Sequence, residues 1–435
     1  MKYFGVAGNP ILHSKSPLLF EGFFKQASIK ASYTRVAADS ADEVVFLFKS
    51  FGFQGMNVTA PFKNDIVSHL SCLDEVVSLT GSANTIVRDK NGLKGFNTDC
   101  LGVVDTLEQR GLILAGKRCV VLGAGGAGVA AAFGLIKRGA VVTVVNRTLD
   151  KAERIANGLG CRAADIKFLK DILKDADLLV SAISSGQKIV ERDWLHQGLV
   201  VLDANYKDSV LSDMARSARC EIIEGEDWLY HQALGAFSVF TNQSAIEKKM
   251  PPALSLSAPD YWDMKKNNIS LIGFMGCGKS SVARILAASL NWRFIDSDEE
   301  IEKKEGMTID RIFKEKGESF FRTREKMMVE KLRGLKGTVF SWGGGTVLDS
   351  ENRKILGEHS LVVFLFSTLE SCLKRIGSEG RPLLAGLDME KAAERLYEER
   401  KKFYFSQADL LVNSEKNEKE VAGKIHDEIR QTFKN

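Results

Sequence analysis

An α/β fold with more than one core is the prediction for this 435-residue chain, and three observations make it. Short β-branched runs alternate with amphipathic stretches from the first residues onward. Two glycine-rich turns, at 123–128 and 273–278, each lie between an apolar run that reads as a strand and a stretch that reads as a helix. The chain is also longer than the roughly 250 residues at which a single core stops growing.

Composition narrows the class. An apolar fraction of 44% and a charged fraction of 27% belong to an ordinary globular protein. The formal net charge is only +4 and no basic patch stands out, so small anions are better partners than nucleic acid. Seven scattered cysteines without a CxxC pair argue against a disulfide framework and a zinc site, and fit a reducing cytoplasm. The start "MKYFGVAGNP" lacks the apolar core of a signal peptide. One long uncharged run, 119–136, is about as long as a membrane span. Its five glycines favour strand, turn and packed helix instead, so no membrane partner is expected.

The first hundred residues alternate "YTRVAA", "GMNVTA" and "ANTIV" as strands with amphipathic segments such as "PLLFEGFFKQA". From 118 the pattern restarts: strand "RCVVL", helix 126–138, strand "VVTVVN", helix 149–158, then "ADLLVSAI" and "LVVLDAN" as buried strands. These are parallel-sheet units with helical crossovers. The stretch 251–267 is rich in proline and has no period, and is the expected linker. Beyond it come strand "ISLIGF", helix 279–290, and strands "RFIDSD", "TVFSW" and "LVVFLF", a further α/β layer sandwich.

Gly123, Gly125 and Gly128 satisfy G-x-G-x-x-G between strand and helix, the Rossmann fingerprint. The first glycine allows the tight turn, the second lets the backbone approach a pyrophosphate, and the third allows close helix packing. Ala124, Gly126 and Ala127 complete the predicted NADP loop. The next strand ends in Asn146 and Arg147 where an NAD site carries an acid. A cation there suits a 2′-phosphate, so NADP is preferred, with Arg147, Thr148 and Lys151 as readers.

Three polar clusters follow strands: "GNPILHSKSP" at 8–17, "NVTAPFK" at 57–63 and "SANT…GFNTD" at 82–99. Loops of this kind at strand ends bind small polyhydroxy ligands or simply make turns. Together with the NADP loop, in this order, they resemble shikimate dehydrogenase over about residues 1–250. The resemblance implies that Ser14 and Ser16 hold the substrate carboxylate, that Thr59, Asn84, Asp99, Tyr206 and Gln232 line the ring site, and that Gly225 contacts the cofactor. It makes Lys63 the acid/base, paired with Asp99. The implied reaction is NADPH-dependent reduction of 3-dehydroshikimate to shikimate.

"GFMGCGKS" is G-x-x-x-x-G-K-S, a P-loop whose backbone N–H groups wrap nucleotide phosphates. Lys279 reaches the β and γ oxygens and Ser280 ligates magnesium. Gly276, Cys277, Gly278 and Ser281 complete the ATP loop. "FIDSD" places Asp296 and Asp298 at a strand end, one for the metal's shell and one to take a hydroxyl proton. Arg322, the glycines 343–345, Arg381 and Arg400 follow in turn. In this order they resemble shikimate kinase over about 268–413. The resemblance implies that Asp298, Arg322, Gly344 and Arg400 bind shikimate, that Asp296 lies near Mg2+, and that Arg381 closes onto the ATP phosphates. Planar guanidinium groups suit a carboxylate because they pair bidentately. The predicted architecture is therefore an N-terminal α/β substrate domain with a Rossmann NADP domain, followed by a P-loop kinase sandwich.

Overall fold

The run Asn268–Ile272 is buried at every position, as a strand covered on both faces must be. It lies within a parallel sheet in the computed structural model, which describes residues 1–183, 189–205, 209–243, 266–376 and 389–432. Tyr206, Arg381 and most of the linker expected at 251–267 lie outside the described residues.

Contacts divide the chain into two units. The first joins residues 1–17 and 30–53 with those from 266 onward. Its strands run in the order Arg293–Asp296, Thr338–Ser341, Asn268–Ile272, Ser360–Phe366, Leu410–Asn413, Ala31–Ala37 and Lys2–Gly8, all parallel. The chain order reverses on either side of Asn268–Ile272, which opens a crevice at the carboxyl ends of the strands. The phosphate loop occupies that point.

Sequence reading did not pick out Leu410–Asn413 as a strand. It pairs with Ser360–Phe366 on one side and with Ala31–Ala37 on the other, in the register Leu410 to Arg35 and Val412 to Ala37. Side chains reinforce that seam. Thr34 Oγ1 donates to Ala408 O at 2.8 Å, and Lys266 Nζ lies 2.9 Å from the Asp409 carboxylate. The Phe51 and Phe405 rings stack with centroids 4.9 Å apart, and Tyr3 sets its edge against both. Phe51 and Phe53 are fully buried, each worth about 1.5–3 kcal/mol of apolar transfer.

The second unit holds two sheets. Gly55–Val58, Thr85–Asp89 and Gly92–Phe96 pair antiparallel, and Cys72–Leu73 joins the last in parallel. The larger sheet is parallel in the order Glu221–Ile223, Val200–Asp203, Leu178–Ser181, Arg118–Leu122, Val141–Asn146 and Arg162–Asp165. Val121, Val144, Val180 and Leu202 share its core. The order reverses beside Arg118–Leu122, so the glycine loop that follows Leu122 opens at the switch point.

The restart at 118 and the strands read from the sequence stand close to their expected places. One element differs. The strand "RFIDSD" stops at Asp296, and helix Ser297–Glu305 begins at once. Asp296 accepts from the Asp298 and Glu299 N–H groups as the helix cap, so Asp298 sits in the helix's first turn instead of on the strand. Among the described residues, no helix is long and apolar enough to cross a membrane.

Candidate active sites

In the second unit, the Lys63 ammonium lies 2.6 Å from Asp99 Oδ2. Asp99 is buried, and its other oxygen accepts from Asn84 Nδ2 at 2.7 Å. Asn84 is held in turn by the Thr98 N–H, which donates to its Oδ1 at 2.9 Å. The Asp99 N–H donates to Asn97 Oδ1, and Trp228 Nε1 donates to the Asp99 carbonyl. A short amine-carboxylate pair is thus fixed by side chains from the second and third polar clusters. Thr59 lies on the turn that leads to Lys63, where its carbonyl accepts from the Phe62 N–H. Gln232 is half-buried on helix Gly225–Thr241, beside Gly102.

The glycine loop has the shape its sequence predicts. Gly123 adopts φ +114, and a Cβ there would lie 2.9 Å from Ala182 O. A Cβ at Gly128 would collide with Gly123 O. At Gly125 a Cβ would meet nothing, and this residue caps helix Gly126–Lys137 without a side-chain hydrogen bond. The first-turn N–H groups are therefore available to an anion. Asn146 ends its strand and donates to Thr148 O, while Arg147, Thr148 and Lys151 are exposed. Ala124 and Ala127 are half-buried in the loop. Gly225 fits tightly, since a Cβ would stand 2.6 Å from Ala204 O. This cradle, with cations beyond the strand end, fits a phosphorylated dinucleotide.

Ser14 and Ser16 belong to the unit that carries the phosphate loop. Their hydroxyls are 3.2 Å apart, and Arg35 Nε donates to Ser14 O at 2.8 Å.

In the same unit a cavity of about 700 Å³ brings together Gly276, Gly278, Lys279, Ser280, Ser281, Asp296, Asp298, Arg322, Gly344 and Arg400. Gly278, at φ +88, precedes helix Lys279–Leu290 without a side-chain cap, again leaving N–H groups for phosphate. Lys279 Nζ donates to the Gly273 and Phe274 carbonyls at 3.0 and 2.9 Å. Ser280 Oγ donates to Asp296 Oδ2 at 2.6 Å, a hydroxyl and carboxylate pair that fits the hard-oxygen preference of magnesium. Cys277 is not among the cavity-lining residues; its side chain is buried.

Two arginines enter this cavity by different means. Arg322 donates to Glu325 at 2.8 Å and to Glu318 at 2.9 Å. Burial alone would lower its pKa, but the two carboxylates outweigh that and hold the guanidinium above its ordinary value. Arg400 is buried, and its Nε has no hydrogen-bond partner among the described residues. A buried cationic group of this kind calls for an anion. The glycines 343–345 make room: a Cβ at Gly343 would stand 2.8 Å from Asp298 Oδ1, one at Gly344 3.3 Å from Arg400 Nη1, and one at Gly345 would collide with Arg322.

Comparison with known proteins identifies both halves. Residues 6–86 match the shikimate dehydrogenase substrate binding domain, 106–216 the shikimate/quinate 5-dehydrogenase family, and 275–430 shikimate kinase. The shikimate kinase of Persephonella marina is 46% identical over 165 residues, which cover 38% of this chain and 99% of that one. The NADP(+) shikimate dehydrogenase of Anaeromyxobacter dehalogenans is 34% identical over 264 residues, covering 58% of this chain and 95% of that one.

This chain belongs to both families. It is a bifunctional shikimate-pathway enzyme, a shikimate dehydrogenase joined to a shikimate kinase. Among solved structures, the shikimate 5-dehydrogenase of Thermus thermophilus, in complex with NADP(H) and shikimate, superposes with a TM-score of 0.52 at 28% identity. It covers 56% of this chain and 95% of that one.

Within the shikimate kinase half, Glu325 was missed by sequence reasoning. It is buried, pairs with Arg322, and accepts from Thr346 Oγ1 at 2.6 Å. Its position three residues after Arg322, on the same helix face, was the available signal. Tyr404 was missed as well; its hydroxyl donates to Gly344 O at 2.5 Å and so fixes the glycine run. Nothing short of the fold would have joined residues sixty positions apart.

Proposed function

We propose that the shikimate dehydrogenase half reduces 3-dehydroshikimate with NADPH, and that the shikimate kinase half then phosphorylates the new 3-hydroxyl with ATP and Mg2+. The observation that carries this reading is the cavity holding Lys279, Asp298, Arg322 and Arg400 together, with one guanidinium buried and incompletely hydrogen-bonded. A small hydroxy acid meets both needs: its carboxylate pairs with the guanidiniums, and its hydroxyl meets a carboxylate near the phosphate loop.

In the reduction, Lys63 gives its proton to the oxygen that forms at C3, while Asp99 keeps the amine aimed. NADPH, when bound, supplies the hydride. The Ser14 and Ser16 hydroxyls are assigned to the substrate carboxylate, Thr59, Asn84, Asp99 and Gln232 to the ring hydroxyls, and Tyr206 to the substrate site. Arg147, Thr148 and Lys151 are assigned to the 2′-phosphate, with the 123–127 backbone and Gly225 along the cofactor.

In the phosphorylation, Asp298 takes the proton of the 3-hydroxyl, and Lys279 balances charge on the β and γ oxygens. Ser280 and Asp296 would hold magnesium, which neutralises phosphate charge. Arg381 is assigned to closing onto the ATP phosphates, where it would stabilise the transferred charge. The corresponding domains are 1–101 with about 232–250 for substrate, 102–231 for NADP, and 268–435 for the kinase, joined by 251–267.

Purified chain supplied with 3-dehydroshikimate, NADPH, ATP and magnesium tests the reading, with NADPH consumption and ADP formation scored separately. Both should proceed, and ADP should form only when 3-dehydroshikimate and NADPH, or shikimate itself, are present. Asp298→Ala should stop ADP formation and spare NADPH consumption. Persistent ADP formation from shikimate in that variant would defeat the assigned role.

A further inference from the structure

Residues 9–15 connect strand Lys2–Gly8 to helix Ser16–Gln26 and carry the first of the two serines. Within the loop the Ser14 N–H donates to Ile11 O at 2.9 Å, and the Ser16 N–H donates to Ser14 Oγ at 3.4 Å. Support also comes from the far end of the chain. Helix Glu418–Thr432 buries Val421, Ala422 and Ile425, and at the next position of this stripe it places an acid, Glu428.

Glu428 is 1% exposed. Its Oε2 accepts from the Ile11 N–H at 2.8 Å and from the Leu12 N–H at 2.9 Å. Ile11 and Leu12 are fully buried, so without this carboxylate their amide hydrogens would lose a partner they cannot recover from water. An apolar seam alone would favour leucine at 428, since a buried carboxylate is costly. The two amides account for one oxygen of the acid, Oε2, while Oε1 has no hydrogen-bond partner among the described residues. Arg35 acts on the same loop from a neighbouring strand, donating to Ser14 O and to Asp409 O at 2.8 and 3.3 Å.

We propose that Glu428, in the shikimate kinase half, is a positioning residue for the shikimate dehydrogenase half. By fixing the Ile11 and Leu12 amides it sets the turn that presents the Ser14 and Ser16 hydroxyls to the substrate carboxylate. It touches no reacting atom. The proposal rests on the assignment of those serines made above.

Glu428→Ala, Glu428→Gln and the double variant Ser14→Ala/Ser16→Ala, each in the full chain, provide the test. Steady-state constants are measured for both activities. Glu428→Ala should raise the dehydrogenase KM for 3-dehydroshikimate about tenfold, as expected when two hydrogen bonds to an ordering group are lost. The dehydrogenase kcat and the KM for NADPH should change little, and the kinase constants should not change. Glu428→Gln, whose carbonyl oxygen can accept both bonds, should restore most of the affinity.

An unchanged KM in Glu428→Ala, or an equal fall in kinase activity, overturns the proposal. If the serine double variant leaves KM unchanged, the assignment of the serines fails and the proposal falls with it. If that variant raises KM while Glu428→Ala does not, only the positioning role fails. Should Glu428→Ala not fold, Glu428→Met keeps the side-chain volume, removes the acceptor and carries the same comparison. Kinase turnover reports folding in each variant, because helix Glu418–Thr432 packs on the phosphate-loop helix Lys279–Leu290.

Discussion

The Lys63 ammonium stands 2.6 Å from a carboxylate of Asp99 that is almost wholly buried, while the lysine side chain itself keeps 24% of its exposure. The acid is immobile and the amine has one open side. Such a pair orients a proton donor without sealing it from a ligand.

Lys63→Ala should therefore lower kcat for 3-dehydroshikimate reduction by about 10²–10⁴-fold, the usual worth of a positioned acid/base group. ADP formation from added shikimate should stay at the wild-type rate. Reduction at near wild-type rate would remove Lys63 from the chemistry.

Arg147 is exposed just past the strand that ends at Asn146, with no acid at 146–149 to favour a free ribose. Arg147→Asp should raise the KM for NADPH by about 10–100-fold, the loss expected for charged hydrogen bonds. The KM for NADH should fall or hold steady. A parallel loss with both cofactors would show that Arg147 does not read the 2′-phosphate.

Glu325 is the buried anchor of Arg322. Glu325→Ala leaves Arg322 with Glu318 alone and the Thr346 hydroxyl without its acceptor, and should cost about 1–3 kcal/mol of stability, seen as a lower Tm or denaturant midpoint. Among molecules still folded, the kinase KM for shikimate should rise, because Arg322 loses its orientation. Unaltered stability and KM would count against both effects.

Asp39 receives Lys416 and Lys424, each at 2.6 Å. Burial acts to raise its carboxyl, but the two lysines outweigh it and hold the group below its ordinary 3.8. A carboxyl lowered by folding binds its proton more tightly when unfolded, so its stabilisation is present above the unfolded value and is lost as pH falls through the folded one. The Tm gap between wild type and Asp39→Asn should hold from about pH 7 to pH 5 and close below about pH 4. A gap that widens in acid would reverse the assignment.

The phosphate loop and the dinucleotide loop were legible because each rests on local chemistry: glycines at positive φ, then a helix start, within a dozen residues. The exposure of Arg147 just past the strand that ends at Asn146 follows from equally local pattern. Asp298 lines the cavity but was misplaced in its element, since Asp296 is both a strand end and a helix cap and the sequence does not say which wins. Glu325 and Tyr404 were not legible, as their meaning comes from partners brought near by tertiary packing. The strand Leu410–Asn413 is four apolar or amide residues between a helix and a charged run, and only its neighbours on both sides define it.

Both rims of Leu410–Asn413 are occupied, one by a kinase strand and one by Ala31–Ala37. A genetic cut between the catalytic halves would therefore part Ala31–Ala37 from Leu410–Asn413. Each fragment would carry a bare ladder of amides and carbonyls, adhesive toward any extended peptide it met. How each fragment covers that ladder would then decide its solubility.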